Sequence, residues 1–287
     1  MSIGLVLEGG GMRGWYTAGA LTVLMENNID FPCVYGISAG AINALSYISR
    51  QSTRELGRAM IQYSTDERYI SVDNLQKTGS LFGFDFIFGE MLHSILHFDY
   101  KTFFDSPVQI KVGATDLRTG QAVFFDKSQL DENMTAVQAS CSLPLIANIV
   151  SYLGYELLDG GCSMPIPLER SIFDGNERNV VVLTRDKSYR KNPKPEFPRS
   201  VLHVKYGDYP CFVDAMMKRP ETYNNELDVC RRQEKAGKAF VIRPSHPIVA
   251  SRYEKDPETL NRIFEMGIQD CEASLPDLGK FLKESSC

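Results

Sequence analysis

The sequence is short of histidine, has no paired cysteines and lacks a hydrophobic run long enough to cross a membrane. Its 287 residues contain four histidines and seven cysteines. The cysteines stand singly, without a C-x-x-C pair, so neither a zinc site nor a disulfide framework is expected. The chain also lacks H-E-x-x-H and EF-hand motifs. We therefore expect no metal and no cofactor.

Targeting signals are missing as well. The chain starts in a strand-like segment without a basic region and a long apolar stretch behind it. No run approaches the roughly 18 apolar residues of a membrane span. Together with the scattered cysteines, these features predict a cytoplasmic protein, at most peripheral at membranes.

Acidic residues outnumber basic ones overall, but one segment is rich in basic residues. The net charge of −5 argues against nucleic acid as a partner. The segment from Arg185 to Lys205, however, holds seven basic residues against two acidic ones. Two interpretations stay open for this segment: a solvated loop, or transient contact with an anionic membrane surface.

The pattern of apolar runs predicts an α/β fold. Strands are expected at 3–8, 32–37, 107–115, 121–126, 149–158, 178–184 and 238–243, and helices near 14–28, 39–50, 53–64, 131–141 and 256–283. Such alternation favours a mainly parallel central sheet flanked by helices, here as one domain over residues 1–287. The polar, proline-bearing stretch 185–200 is predicted to be a surface loop.

Two glycine-rich turns in the first forty residues carry the chemistry. The second turn, Gly36-Ile37-Ser38-Ala39-Gly40, matches the G-x-S-x-G nucleophile elbow and follows an apolar run. A serine hydroxyl in such a turn is exposed at the end of a strand, where it can attack an ester carbonyl. Ser38 is therefore the predicted nucleophile.

The first turn runs from Gly9 to Gly14 and suits an oxyanion hole. Glycines let consecutive N–H groups converge on a developing negative charge. The predicted oxyanion set consists of Gly9, Gly10, Gly11, Arg13, Gly14 and Ala39. The same turn satisfies the dinucleotide pattern G-x-G-x-x-G, but the acid that should end the next strand is absent, so a nucleotide site is disfavoured.

The base that activates Ser38 has more than one candidate. A Ser–Asp–His triad could use His203 or His246, although neither stands in a motif that would hold it at a site. Asp159 follows an apolar strand and precedes two glycines, which is where open α/β sheets build sites. Asp116 is a rival whose hairpin context favours a turn-stabilising role.

At this point the sequence resembles the patatin-like phospholipase family. The resemblance rests on Gly9–Gly14, on Gly36–Gly40 and on Asp159-Gly160-Gly161, and it spans about residues 3–166. It implies a three-layer fold, a Ser38–Asp159 dyad without histidine, and hydrolysis of acyl esters in lipids through an acyl-enzyme. The last third of the chain has no diagnostic motif.

The expected function is a serine acyl ester hydrolase acting on phospholipid or lysophospholipid. Two alternatives stay open: a non-lipid carboxylesterase with a Ser-Asp-His triad, and an inactive lipid-binding or regulatory protein. Residues 81–104 hold seven of the sixteen phenylalanines. They are predicted to form a lid, an acyl pocket or part of the core.

Overall fold

The computed structural model describes residues 2–283, so Cys287 lies outside the described residues. The strands are β1 Ile3–Leu7, β2 Cys33–Ile37, β3 Gln109–Asp116, β4 Ala122–Asp126, β5 Val150–Tyr152, β6 Tyr155–Asp159, β7 Arg178–Val182 and β8 Ala239–Ile242. The helices are α1 Trp15–Glu26, α2 Ala39–Ile48, α3 Arg54–Ile61, α4 Val72–Thr78, α5 Tyr100–Asp105, α6 Thr135–Cys141, α7 Leu168–Phe173, α8 Arg199–Tyr206, α9 Pro210–Lys235 and α10 Pro257–Lys283. A π-helical segment, Asp85–Ile95, precedes α5.

The strands form one mixed sheet in the order β5-β6-β3-β2-β1-β7-β8, with β4 also paired to β3. The adjacent strands in the part of the sheet ordered β3-β2-β1-β7-β8 run parallel to one another. Strands β4 and β6 are antiparallel to β3, and β5 is antiparallel to β6. This arrangement confirms the predicted α/β class with a mainly parallel central sheet.

Strand β3 brings two distant strand ends together. Strand β4 covers one edge of β3 along residues 111–115. The other edge is shared: β2 occupies it up to the pair Ile37–Gly113, and β6 occupies it from the pair Asp159–Ala114. Because β2 and β6 run in opposite directions, their carboxyl ends face each other at adjacent positions of β3.

Helices cover both faces of the sheet. Leu5 and Leu7 of β1 pack into a core with α1, α2 and α10. Val6, between them, packs on the opposite face with residues of α9. Successive side chains of a strand point to opposite faces, so the nearly continuous burial of β1 and β7 is what a strand between two helical layers requires.

Each predicted strand range contains a strand, but 149–158 contains two, β5 and β6, joined at Leu153-Gly154. Helix α9 has no counterpart among the predicted helices. Its sequence contains Pro210 and Pro220, and proline disfavours a helix in a sequence-based prediction. Pro210 stands at the first helical position, where its missing N–H costs nothing, and Pro220 is accommodated in the interior. Among residues 2–283, no helix is both long and apolar enough to cross a bilayer.

Helices α1 and α10 touch backbone to backbone. A Cβ atom added to Gly19 would overlap the carbonyl oxygen of Phe264, and one added to Gly267 would overlap that of Tyr16. Helix α1 begins directly after the first glycine turn. The approach of these two helices therefore helps to hold that turn in place.

Replacing Gly267 by alanine should destabilise the protein, since the new methyl group meets a backbone oxygen that no rotamer change can move. We expect a loss of about 1–3 kcal/mol, which lowers the melting temperature by about 2–4 °C per kcal/mol in a chain of this size. Gly279→Ala is the matched control on the same helix, because a Cβ there has no neighbour within 4 Å among the described residues. Thermal melts in which both variants match the parent would contradict the close approach.

Candidate active site

Ser38 stands at a sharp turn between β2 and α2. Its backbone has φ 53° and ψ −123°, a conformation that residues other than glycine rarely adopt. Gly40 permits the turn, because a Cβ there would lie 2.5 Å from the carbonyl oxygen of Leu7. The Ser38 N–H donates to Ser140 Oγ at 2.8 Å, and Ser140 Oγ donates to the Gly113 carbonyl at 2.6 Å. The serine is thereby fixed against β3.

Asp159 accepts a hydrogen bond from the Ser38 hydroxyl. The distance from Ser38 Oγ to Asp159 Oδ2 is 2.7 Å, and the Gly161 N–H donates to Oδ1 at 2.7 Å. Burial raises the pKa of Asp159 above its ordinary value, although these two hydrogen bonds act in the opposite direction. A raised pKa makes a carboxylate a better proton acceptor, which is the property a serine base needs.

The first glycine turn presents unused N–H groups beside Ser38. The N–H of Gly9 donates to Pro165 O at 3.2 Å, so Gly9 is not available as a donor. Among residues 2–283, no hydrogen-bond acceptor is found for the N–H groups of Gly10, Gly11 or Ala39. These three amides are the candidate oxyanion donors within the predicted set. Gly14 instead provides room, since a Cβ on it would lie 2.6 Å from that of Ala39.

A mostly apolar cavity of about 150 Å³ opens next to this turn. Gly11 and Ala39 lie at its wall, together with Ile87, Met91 and other residues of the π-helical segment. Of the seven phenylalanines predicted as lid, pocket or core, Phe88 and Phe98 line this cavity. Phe103 is fully buried in the core, and Phe104 is exposed. The segment thus contributes both to the pocket and to the core.

A second cavity contains the Ser38 and Asp159 side chains and is polar. Its wall includes Gly10, Gly11, Glu8 and the five cations Arg13, Arg185, Lys191, Arg219 and Arg252. Arg219 Nε donates to Gly161 O at 2.6 Å, so α9 holds the turn whose N–H orients Asp159. Gly11 lines both cavities, and they therefore meet at the glycine turn.

The predicted surface loop 185–200 is irregular, as expected, but it is not merely a solvated loop. Arg185 and Lys191 point into the polar cavity. Arg190 pairs with Asp228, and Arg199 pairs with Asp214 at 2.6 Å. Much of the charge assigned to a solvated loop or membrane contact is thus used within the molecule.

The other candidate bases lie elsewhere. His203 is exposed on α8, His246 is exposed after β8, and neither lines the polar cavity. Asp116 accepts hydrogen bonds from Thr119 Oγ1 at 2.8 Å and from the Arg118 N–H at 3.2 Å. These contacts are those of a turn-stabilising residue.

Four residues around this site stand in no recognisable sequence motif: Glu196 and the three cations that pair with it, Lys191, Arg219 and Arg252. Lys191 and Glu196 lie in the proline-bearing loop, Arg219 on the unpredicted helix α9, and Arg252 in the segment before α10. The excess of basic residues in 185–205 was the one available indication, and it favoured a surface role. Only the fold brings these side chains to Ser38.

Comparison with known proteins identifies the class. The family model described as "Patatin-like phospholipase" matches residues 5–172, and the chain belongs to this family. The predicted resemblance is therefore confirmed, and family membership supports a lipid acyl hydrolase. A second model, described as "Domain of unknown function (DUF6363)", matches residues 209–283.

Individual proteins add two similarities. The chain is 22% identical to the uncharacterized protein YjjU of Escherichia coli (strain K12), over 99% of this chain and 80% of that protein. Among solved structures, VipD from Legionella pneumophila has a TM-score of 0.47 and 12% sequence identity, covering 96% of this chain and 67% of that chain.

Backbone strain at Ser38 can be measured by comparing two variants that both remove the hydroxyl group. Ser38→Ala keeps the Cβ atom in the unfavourable conformation, whereas Ser38→Gly relieves it. Strain of this kind costs about 1–3 kcal/mol, of which the extra freedom of glycine in the unfolded chain offsets about 0.4–1 kcal/mol. We expect Ser38→Gly to be the more stable variant by about 1 kcal/mol in denaturant unfolding, from the difference of those two effects. The opposite order would mean that the turn is unstrained.

Proposed function

We propose that this protein hydrolyses acyl ester bonds of phospholipids or lysophospholipids through a Ser38–Asp159 dyad. The observation that carries the proposal is the 2.7 Å hydrogen bond from Ser38 Oγ to Asp159 in a polar cavity that shares Gly11 with a neighbouring apolar cavity. An ester with a fatty acyl chain and a polar alcohol has the same two-part character. The family membership given above points to the same class of substrate.

The reaction proceeds in two halves. Ser38 Oγ attacks the ester carbonyl carbon while its proton passes to Asp159, and the N–H groups of Gly10, Gly11 and Ala39 stabilise the oxyanion. The ester C–O bond then breaks, and Asp159 returns the proton to the departing alcohol. Water then gives a proton to Asp159 and attacks the acyl carbon. The bond between this carbon and Ser38 Oγ breaks, and Asp159 returns the proton to Ser38 Oγ as the fatty acid leaves.

The geometry favours this dyad over the triad alternative. The two oxygens of Asp159 are both occupied, by the Ser38 hydroxyl and the Gly161 N–H. A histidine between serine and aspartate would need the position that this direct hydrogen bond fills. An inactive binding protein would not require a strained serine turned toward a buried carboxylate.

Three expectations remain predictions. They are the single-domain organisation over residues 1–287, the cytoplasmic location, and transient contact with a membrane surface. The match of residues 209–283 to a separate family model makes the first of these a specific question. In the structure this region supplies β8 to the central sheet and packs α10 on α1.

Removal of either dyad member should abolish hydrolysis without unfolding the protein. For Asp159→Asn we expect a loss of about a hundredfold to ten-thousandfold, the usual contribution of a general base. Ser38→Ala should lose at least as much, and a fluorophosphonate probe should label Ser38 in the parent only. His203→Ala and His246→Ala are the controls and should keep activity within a few-fold. A collapse of either histidine variant at unchanged melting temperature would restore the triad.

The pH profile gives a second readout of the same dyad. Only the ionised carboxylate of Asp159 accepts a proton, so kcat/KM on a neutral, monomeric ester falls as the pH falls through its pKa. Because burial raises that pKa above the ordinary value of 3.8, the acid limb should lie above the normal aspartate range. The stability of the fold depends on pH in the opposite direction. The contribution of Asp159 to the free energy of unfolding is present at acid pH and is lost as the pH rises and the carboxyl group ionises.

The apolar cavity should set the preferred acyl length. Phe88→Ala enlarges the cavity and should shift the optimum to longer chains, since each buried methylene contributes about 0.8 kcal/mol. Phe84→Ala is the matched control: its ring stacks edge-to-face on Phe88 at 5.7 Å but does not line the cavity. Chain-length series on monomeric esters measure both. An unchanged optimum in Phe88→Ala would place the acyl chain elsewhere.

A further inference from the structure

The polar cavity beside Ser38 has more positive charge than its carboxylates can neutralise. Arg219 and Arg252 share Glu196, with N–O distances of 3.0 and 3.1 Å. Lys191 Nζ lies 3.9 Å from the same carboxylate. One acidic group therefore serves three cations on this side of the cavity, before Arg13 and Arg185 are counted.

Arg13 is the least compensated of these cations. Its side chain is buried, with 9% exposed, and its Nε has no hydrogen-bond partner within residues 2–283. Burial and the neighbouring Arg185 lower the pKa of Arg13 to about 10, so it remains charged at neutral pH. A buried guanidinium nitrogen without a hydrogen-bond partner is costly, and an anionic ligand would remove that cost.

Glu8 does not supply the missing partner. Its Oε1 accepts from the Tyr223 hydroxyl at 2.7 Å and its Oε2 from the Thr184 N–H at 2.5 Å. Burial raises the pKa of Glu8 and so favours its neutral form, although its hydrogen bonds and the charge of Arg13 act in the opposite direction. Both carboxyl oxygens of Glu8 are thus engaged with other donors.

Arg185 and Lys191 occupy the aromatic faces of the cavity. The Arg185 guanidinium carbon lies 4.4 Å from the centre of the Tyr189 ring, and Lys191 Nζ lies 5.9 Å from that of Tyr223. Within the described part of the chain, Arg185 has no carboxylate at ion-pair distance. Aromatic faces are where a quaternary ammonium group would bind, and here cations of the protein already cover them.

We propose that this cavity binds the alcohol side of the ester, and that this alcohol carries an unsubstituted phosphate group. The inference rests on the proposed function, because the acyl chain in the apolar cavity leaves the polar one for the leaving group. A phosphate monoester is close to dianionic at neutral pH. This charge matches the two guanidinium groups on the cavity wall, Arg13 and Arg185, for which residues 2–283 provide no carboxylate at ion-pair distance. A choline group would instead meet the five cations of this wall.

The reaction balances with these groups. The bond between Ser38 Oγ and the acyl carbon forms, the ester C–O bond breaks, and the glycerol phosphate alkoxide takes the proton from Asp159. The phosphate itself is not transferred. It is held by Arg13, Arg185 and Lys191, which position the ester and recognise its alcohol.

The test compares three monomeric esters with the same short acyl chain: acylglycerol 3-phosphate, acylglycerophosphocholine and monoacylglycerol. We expect kcat/KM to be highest for the phosphate monoester, by about tenfold or more, the effect of one charge-assisted hydrogen bond. In Arg185→Gln this preference over monoacylglycerol should fall by a similar factor. Arg190→Gln is the matched control, since Arg190 belongs to the same segment but pairs with Asp228 outside the cavity. Equal kcat/KM values for the three esters in the parent would overturn the proposal.

A binding experiment separates this inference from the proposed function. Calorimetric titration of Ser38→Ala with glycerol 3-phosphate should show binding that Arg185→Gln, added to the same background, weakens about tenfold, as expected for one lost charge-assisted hydrogen bond. If the parent hydrolyses none of the esters but this binding is seen, the proposed function fails and the anion subsite stands. If inorganic phosphate binds as well as glycerol 3-phosphate and the esters are cleaved without preference, the cavity is a site for free phosphate and the substrate assignment is wrong.

Discussion

The site depends on one constraint in the sheet: β2 and β6 share a single edge of β3. Because β4 takes the opposite edge, the two strands must lie end to end, one parallel and one antiparallel to β3. Their last residues therefore pair with Gly113 and Ala114, which are neighbours in sequence. Ser38 follows the first strand end and Asp159 is the second. A dyad separated by 121 positions in the chain is in this way held together by backbone hydrogen bonds.

The dyad half of the site, Ser38 and Asp159, could largely be predicted from the sequence, because its sequence features are local. A glycine-bounded serine after an apolar run indicates a strand, a tight turn and a helix from neighbouring residues alone. Asp159 was found in the same way, from a strand followed by two glycines. That both lie on one edge of β3 was not visible, since strand pairing depends on residues far apart in sequence. Local sequence features therefore indicate both residues but not the strand pairing that brings them into contact.

The cationic half of the site could not be predicted, for a different physical reason. Arg219 lies on a helix that tolerates Pro210 at its start and Pro220 inside, so local rules argue against the helix that carries it. Lys191 and Arg185 belong to a segment whose composition is that of a solvated loop. Whether a basic side chain faces water or a cavity depends on the surface that its backbone packs against. The tertiary structure determines this surface, and local sequence patterns do not reveal it.

The two halves are coupled through charge. Five cations near Asp159 would favour its ionised form and lower its pKa, which would weaken it as a base. Arg219 and Arg252 do act in that direction, yet burial outweighs them and the pKa stays raised. Glu196 accepts ion pairs from both guanidinium groups and so reduces the positive potential that reaches the dyad. Arg13 and Arg185, which have no carboxylate at ion-pair distance in the described part of the chain, keep their charge available to a ligand. Because Glu196 pairs with three of the five cations and leaves Arg13 and Arg185 to a ligand, a reactive carboxylate and an anion-binding surface can occupy the same cavity.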